Sequence, residues 1–286
     1  MKKLLALILA VLMLATLLVA CGEEATETEN LKDYLQNEEM ADYVTLESGE
    51  TFYFEQDDSE SVIIIAYECN NNEKRDLVVP TTITVEKGNT GEFKTYTVVG
   101  IGAQAFKANN DIISITLPET VVSIGDFAFA QCSQVVSATI PANVKEIGRY
   151  AFASCSALSS LTIESVLFNE IKEFTFYGCS SLTELTVPAN VESIGIGAFY
   201  GCTAIKSIVF EEGVKEIGKQ AFQNCTNLES LTMPASLTKI GKQAFNGSAK
   251  LYDDAVTYAE GADVARAHFE MEEHMLPERP AADTVA

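Results

Sequence analysis

The phrase Ile-Gly-x-x-Ala-Phe returns, with small variations, seven times in this chain. Its closing phenylalanine falls at Phe106, Phe129, Phe152, Phe176, Phe199, Phe222 and Phe245, at spacings of 23, 23, 24, 23, 23 and 23 residues. A unit this short cannot bury its apolar edge alone. A fixed period of such length therefore predicts a solenoid in which each copy is covered by its neighbours. The expected product is an extended surface.

Each copy carries two apolar phrases joined by a turn. The first has the form Leu-x-x-Leu-x-Leu, as in Leu182, Leu185 and Val187 or Leu228, Leu231 and Met233, and its alternating half fits a short parallel strand. A proline follows at Pro118, Pro141, Pro188 and Pro234, where it presets a turn and stops the strand. Six copies place glycine directly after the isoleucine of the second phrase, at Gly102, Gly125, Gly148, Gly195, Gly218 and Gly241. Either a positive φ or a close approach to the neighbouring coil would require it. The fourth copy departs, with Lys172 at that position and one extra residue in the turn before Ile171. A local irregularity in the stack is expected there.

Together these phrases closely resemble the BspA-like, bacterial surface-antigen type of leucine-rich repeat, whose pattern runs Leu-x-x-Leu-x-Leu-Pro and then Ile-Gly-x-x-Ala-Phe-x-x-Cys. The resemblance covers residues 98–250 and, more loosely, the region before them. It implies a surface protein of the kind taken to bind host or bacterial proteins. No functional residue carries over, because the motif residues are the core. The fold expected is an α/β solenoid, mostly β: a right-handed stack of seven ~23-residue repeats over 98–250. An N-terminal β cap over 45–97 and a short C-terminal cap helix with a frayed tail within 251–286 complete it.

The amino terminus carries an address. Lys2 and Lys3 followed by the apolar run Leu4 to Ala20 read as a secretory signal over residues 1–20. Leu18-Val19-Ala20-Cys21 resembles a bacterial lipobox, which implies a diacylglyceryl thioether on Cys21 and attachment of the mature chain to a bacterial membrane, outside the cytoplasm. Between Gly22 and Glu60 stand 14 acids against one lysine, whereas Val98 to Lys250 holds 13 acids and 10 bases. Residues 21–44 therefore read as an acidic flexible tether. The absence of any basic patch or stripe argues against nucleic acid, and contact with the membrane is expected through the lipid alone. In the cap, Thr51-Phe52-Tyr53-Phe54, Ser61 to Tyr67, Leu77-Val78-Val79 and Thr81 to Val85 read as strands. Tyr258 to Met275, rich in Ala, Glu and Met, reads as the capping helix.

Chemistry finds little foothold. Five of the seven cysteines, Cys132, Cys155, Cys179, Cys202 and Cys225, lie three residues after a repeat phenylalanine. Stacked coils would set them in a column at about 4.8 Å, a poor geometry for disulfides or for zinc. They read as buried thiols acting as small hydrophobes, with polar Asn109 and Ser248 at the two ends of the column. Cys69 reads as a lone thiol. His268 and His274 sit in the tail, far from any recurrent nucleophile. Neither catalytic residues nor metal or cofactor ligands are expected.

What differs between copies is the place to look for function. Ser114, Ser137, Ser160, Glu184, Ser207 and Ser230 form one outward row, and Thr116, Thr139, Thr162, Thr186, Val209 and Thr232 a second. Such rows suit strands and lack the Tyr, Trp or Arg that anchor tight interfaces. Aromatics gather elsewhere, with Phe127, Tyr150 and Phe174 in the column two residues before the phenylalanine and Tyr177 and Tyr200 in the column just after it. If exposed, these five form a candidate patch for an unknown protein ligand or, alternatively, a glycan. If buried, they are side packing. A passive spacer is the third reading.

Overall fold

The computed structural model describes residues 42–46, 49–57, 60–69, 73–86, 91–251 and 255–263. Residues 1–41, with the signal segment, Cys21 and nearly all of the tether, lie outside them, as do both histidines. Strands and turns make up the described chain, and no described helix is long and apolar enough to cross a membrane.

Six strands precede the first complete copy: β1 (Asp42–Thr45), β2 (Glu50–Gln56), β3 (Ser61–Cys69), β4 (Arg75–Val78), β5 (Thr82–Glu86) and β6 (Phe93–Ile101). The four segments expected to be strands lie in or against β2 to β5. β1 corrects the tether boundary, because Asp42 to Thr45 pair antiparallel with β2. Tyr43, Val44 and Thr45 are strand formers, and the Tyr43 ring sits 5.8 Å from that of Tyr53. β6 runs unbroken through the expected junction at residues 97 and 98. It pairs antiparallel with β5 and parallel with β3.

Beyond β6 the strands come two to a turn of the chain: β7 (Ile112–Thr116) and β8 (Ser123–Ile124), β9 (Ser137–Ile140) and β10 (Glu146–Ile147), β11 (Ser160–Ile163) and β12 (Glu170–Ile171). The series continues with β13 (Glu184–Val187) and β14 (Ser193–Ile194), β15 (Ser207–Phe210) and β16 (Glu216–Ile217), β17 (Ser230–Met233) and β18 (Lys239–Ile240). First strands pair parallel with first strands and second with second, one copy apart, so that Ser137 lies opposite Ser114 and Ile194 opposite Ile217. The result is a mostly-β solenoid of about seven turns. The strands before it share its register: Leu77 of β4 lies opposite Ile115, and Ile64 of β3 opposite Ile101. A degenerate coil therefore precedes the first recognisable copy. At the other end Val256–Tyr258 forms β19, parallel to β17 with Thr257 opposite Thr232. Tyr258, where the capping helix was expected to begin, instead closes this strand: the alternation Val-Thr-Tyr is short but pairs with an existing edge. The rest of the expected helix, beyond Asp263, lies outside the described residues.

The repeat phenylalanines form the spine. All seven are buried, and their rings stack one on the next at centroid distances of 5.0 to 5.5 Å with interplanar angles of 4° to 15°. The spacing follows from the parallel strands, which set neighbouring coils one hydrogen-bond width apart. Tyr67 and then Phe52 continue the column ahead of Phe106, at 5.3 and 5.2 Å, with tilted rings. Apolar residues of both strand sets close around this column into one core.

The motif glycines serve close approach, not a positive φ. A Cβ on Gly148 would lie 2.4 Å from the backbone of Gly125 and Asp126, and one on Gly195 would lie 2.6 Å from Glu173 N. Their N–H groups donate to the isoleucine carbonyl of the coil before, Gly148 to Ile124 and Gly195 to Ile171, at 2.7 Å in both cases. Gly148→Ala should therefore destabilise the chain by about 1–3 kcal/mol or more, since backbone must move. Gly102→Ala should cost less, because its Cβ would stand 3.0 Å from Ile64 O at an end of the stack. Urea denaturation of the two variants checks the contrast; equal losses would contradict the assignment.

The irregularity expected at the fourth copy is a break. The first-strand sheet ends at β11 and a new one begins at β13, while the second-strand sheet ends at β10 and resumes at β12. Lys172 explains the second interruption, because its Cβ cannot take the place that glycine vacates elsewhere. The bond from residue 172 to Ile147 O, which every equivalent glycine makes, is missing. Around the extra residue, Ser165 is buried and donates to Val144 O. Val166 and Leu167 are exposed at 70% and 50%. Thr175, buried in place of the motif alanine, sets its hydroxyl 2.9 Å from Lys172 O and 3.3 Å from Gly148 O.

Candidate functional site

From each second strand the chain turns back through a segment that repeats one backbone pattern. Its third residue, counting the glycine as first, is left-handed in every copy, with φ between 55° and 62° at Gln104, Phe127, Tyr150, Phe174, Gly197, Gln220 and Gln243. A left-handed non-glycine residue costs roughly 1–2 kcal/mol. Alternate amides of the segment donate to the next coil, as Phe127 to Arg149 O, Phe129 to Ala151 O and Gln131 to Ala153 O, at 2.7 to 2.9 Å. These bonds offset the cost and fix the side chains of that column in line along one flank.

On this flank the five expected aromatics meet. The rings of Phe127 and Tyr150 stack at 4.7 Å and 3°, and those of Tyr150 and Phe174 at 4.8 Å and 12°. Phe174 rests on Gly197, where an added Cβ would be 2.3 Å from the ring. Lys107 Nζ lies 5.9 Å from the centroid of Phe127 at the opposite end. Tyr177 stacks on Tyr200 at 5.3 Å and meets Phe174 edge-on at 6.1 Å. Tyr177 is 38% exposed and the other four are half-buried. The strip is thus neither a free platform nor core. Tyr150 and Phe174 have both ring faces covered, so they offer solvent their edges. The hydroxyls of Tyr150 and Tyr177 have no hydrogen-bond partner among the described residues, whereas Tyr200 accepts one from Asn224 Nδ2 at 3.0 Å.

The variable charges beside the strip satisfy one another. Arg149 pairs with Glu173 at 2.7 Å, and Asp126 accepts the Arg149 N–H at 2.7 Å. Lys172 pairs with Glu146. In the same column as Arg149 and Glu173, Ile196 stands 42% exposed and is followed by exposed Lys219 and Lys242. The Ser and Thr rows lie in register as expected on each sheet, and they are interrupted between Ser160 and Glu184, where the sheets stop.

The cysteine column is buried and all five thiols are free. A role the sequence reading missed is that of donor. Each Sγ donates to the phenylalanine carbonyl of the preceding coil, from Cys132 to Phe106 O at 3.0 Å through Cys225 to Phe199 O at 3.5 Å. No sequence signal marked this role: Asn109 at the equivalent position accepts the Asp111 N–H instead, and the Ser248 hydroxyl donates to no carbonyl among the described residues. Burial pushes the thiols of Cys132 and Cys225 up to about 12 and those of Cys155, Cys179 and Cys202 well above 9.0. Thiols held neutral in this way are poor nucleophiles. Glu211 and Glu212 have a structural task as well, accepting backbone N–H groups of Ala189, and of Ala235 and Ser236, in the turns on either side. Among the described residues no group of His, Cys, Asp and Glu is placed to hold a metal ion.

Stacked parallel coils, a buried phenylalanine spine and outward-facing strand rows define a leucine-rich-repeat solenoid. Residues 99–203 and 169–258 match the family model described as BspA type leucine rich repeat region, in six copies. The chain belongs to the BspA-type leucine-rich-repeat family. Among solved structures, a leucine rich cell surface protein from Faecalibacterium prausnitzii is 27% identical, with a TM-score of 0.60 over 76% of this chain and 54% of that one. The T. pallidum leucine rich repeat protein, TpLRR, is 25% identical, with a TM-score of 0.64 over 77% of this chain and 94% of that one. A leucine-rich repeat protein from Eubacterium ventriosum shares the fold at 24% identity and a TM-score of 0.58, over 72% and 50% of the two chains. The chain thus spans about half the length of the Faecalibacterium and Eubacterium structures. No curated protein matched.

Proposed function

We propose that this chain is a lipid-anchored surface protein whose solenoid binds another protein through the aromatic strip of its turn flank, in adhesion to host or neighbouring cells. The observation that carries the reading is the geometry of the strip: stacked rings present edges and two unpartnered tyrosine hydroxyls. Tyrosine used in this way, part apolar body and part polar tip, is the common anchor of protein interfaces. A glycan that stacks on aromatic side chains needs an open ring face, which Tyr150 and Phe174 lack. Membership of a repeat family that builds surfaces, and likeness to a protein described as a leucine rich cell surface protein, support the location. Cys21 is the proposed site of lipid attachment, residues 21–41 the spacer, and residues 45–97 together with those after 250 the caps of the stack. In this reading the chain is a binding scaffold and no enzyme.

The test uses the full chain carrying Cys21→Ser on arrays of extracellular-matrix proteins and of glycans. Protein hits that weaken tenfold or more in Tyr177→Ser/Tyr200→Ser, a loss of about 1.4 kcal/mol or greater, are the expected result, with folding stability changed by less than about 1 kcal/mol. Binding confined to glycans would overturn the reading, as would a large stability loss in the double variant. Incorporation of labelled lipid by the wild-type chain and not by Cys21→Ser is expected in the bacterium; equal labelling would remove the anchor.

A further inference from the structure

The departures of the fourth copy coincide in space, and they divide the solenoid. β10, the Phe152 turn and β11 form the last turn of a first block; β12, the Phe176 turn and β13 form the first turn of a second. Within each block, neighbouring turns are joined along three lines: the first strands, the second strands and the turn flank. Between the blocks, only the flank remains. There Tyr150 N–H donates to Glu173 O at 3.2 Å, Phe152 to Thr175 O at 2.9 Å and Ser154 to Tyr177 O at 2.6 Å. The bond from Ser159 to Val136 O and that from Lys206 to Thr183 O have no counterpart from Thr183 to the turn before it. Leu161 and Ile163, whose equivalents in the neighbouring copies are buried, are only half-buried here.

We propose that this junction is a joint at which the two blocks move against each other, and that the aromatic strip is its clasp. The aromatic strip and the charges beside it extend across the junction. Phe127 and Tyr150 belong to the first block, and Phe174, Tyr177 and Tyr200 to the second. The stacking of Tyr150 on Phe174, the Arg149–Glu173 and Lys172–Glu146 pairs and the Thr175 hydroxyl over Gly148 O all span it. Two lines of strand pairing are released, and the blocks are held by the backbone and side-chain bonds of one flank and by the Phe152–Phe176 step of the buried spine, which is the arrangement of a hinge. The single chain crossing, 164–169, carries the extra residue that gives it slack. The joint does not depend on which partner the strip binds, and testing it needs none.

Hydrogen exchange of the full chain, read by mass spectrometry, tests it. Amides of residues 169–172 and 183–187 are expected to exchange faster by on the order of tenfold or more than their equivalents at 192–195 and 206–210. Cleavage by a broad-specificity protease should fall first at Val166 and Leu167. A variant that deletes Val166 and carries Lys172→Gly restores the 23-residue spacing and should raise the protection of both segments. Tyr150→Ala, which leaves the strands untouched, should lower it further. Uniform protection along the solenoid, or a Tyr150→Ala chain that exchanges like the parent, would overturn the joint. If the arrays find no protein ligand while exchange still divides the chain at the fourth copy, the binding proposal falls and the joint stands.

Discussion

Raising the pH from about 8 to about 10 should cost the folded chain on the order of 7 kcal/mol, more than any single substitution considered above. The cause is the buried thiol column. In the unfolded chain a cysteine titrates near 9.0; in the folded chain burial keeps Cys132, Cys155, Cys179, Cys202 and Cys225 protonated far above that. Above pH 9 the unfolded state therefore gives up protons that the folded state retains. The stability these thiols contribute is fully present below that value and is lost progressively as the pH climbs toward the folded values. One unit above the unfolded pKa the loss is about 1.4 kcal/mol per thiol. Summed over five, it rivals the ~5–15 kcal/mol by which domains are ordinarily stable. Urea midpoints under reducing conditions across this range measure it. The paired change Cys179→Ala/Cys202→Ala should shed about two fifths of the slope; a flat profile in the parent would show that the thiols are not held in the dry column described.

Phe152→Ala is expected to cost about 3–5 kcal/mol. The ring is fully buried, with Phe129 at 5.2 Å on one side and Phe176 at 5.5 Å, the widest step of the spine, on the other. Phe199→Ala should cost a similar amount, but with a different outcome. Phe199 lies inside the second block, where strands on both faces still tie its turn to the neighbours. Its loss lowers stability without separating the transition. Phe152 faces the junction across which no strand pairs, so its loss should also split unfolding into two steps, visible as two denaturant transitions by circular dichroism. If Phe199→Ala splits the transition and Phe152→Ala does not, the division into blocks has been placed wrongly.

Most of the fold was legible because one phrase, repeated, reports a single physical requirement. Phe129 and its equivalents are large, apolar and periodic, and no arrangement but a stack buries all of them. Lys172 and the extra residue before Ile171 were equally legible as a fault, since a side chain was written where others have none. Other features were not. The motif glycine allowed two causes, and only the 2.4 Å approach at Gly148 separates them. The left-handed residue two positions later carries no signature, because Gln104, Phe127 and Gly197 share it with little in common. The candidate strip was found as two columns of aromatic residues, but whether its rings would show faces or edges depends on stacking between turns, which no single copy encodes. The strands β1 and β19 were missed for a related reason: three or four residues without the phrase become strands only because an edge already exists to receive them.

Side-chain bonds that tie one turn to the next recur at equivalent positions of neighbouring copies, as from Ser156 to Ser133 O and from Ser180 to Ser156 O, 23 and 24 residues apart. Every contact of this kind is therefore indifferent to how many copies precede or follow it. A crossover between two misaligned copies of the gene would add or remove whole units while leaving each remaining neighbour relation intact. Length then becomes a property that inheritance can adjust without inventing a new interface, and the distance over which such a scaffold reaches is set by counting.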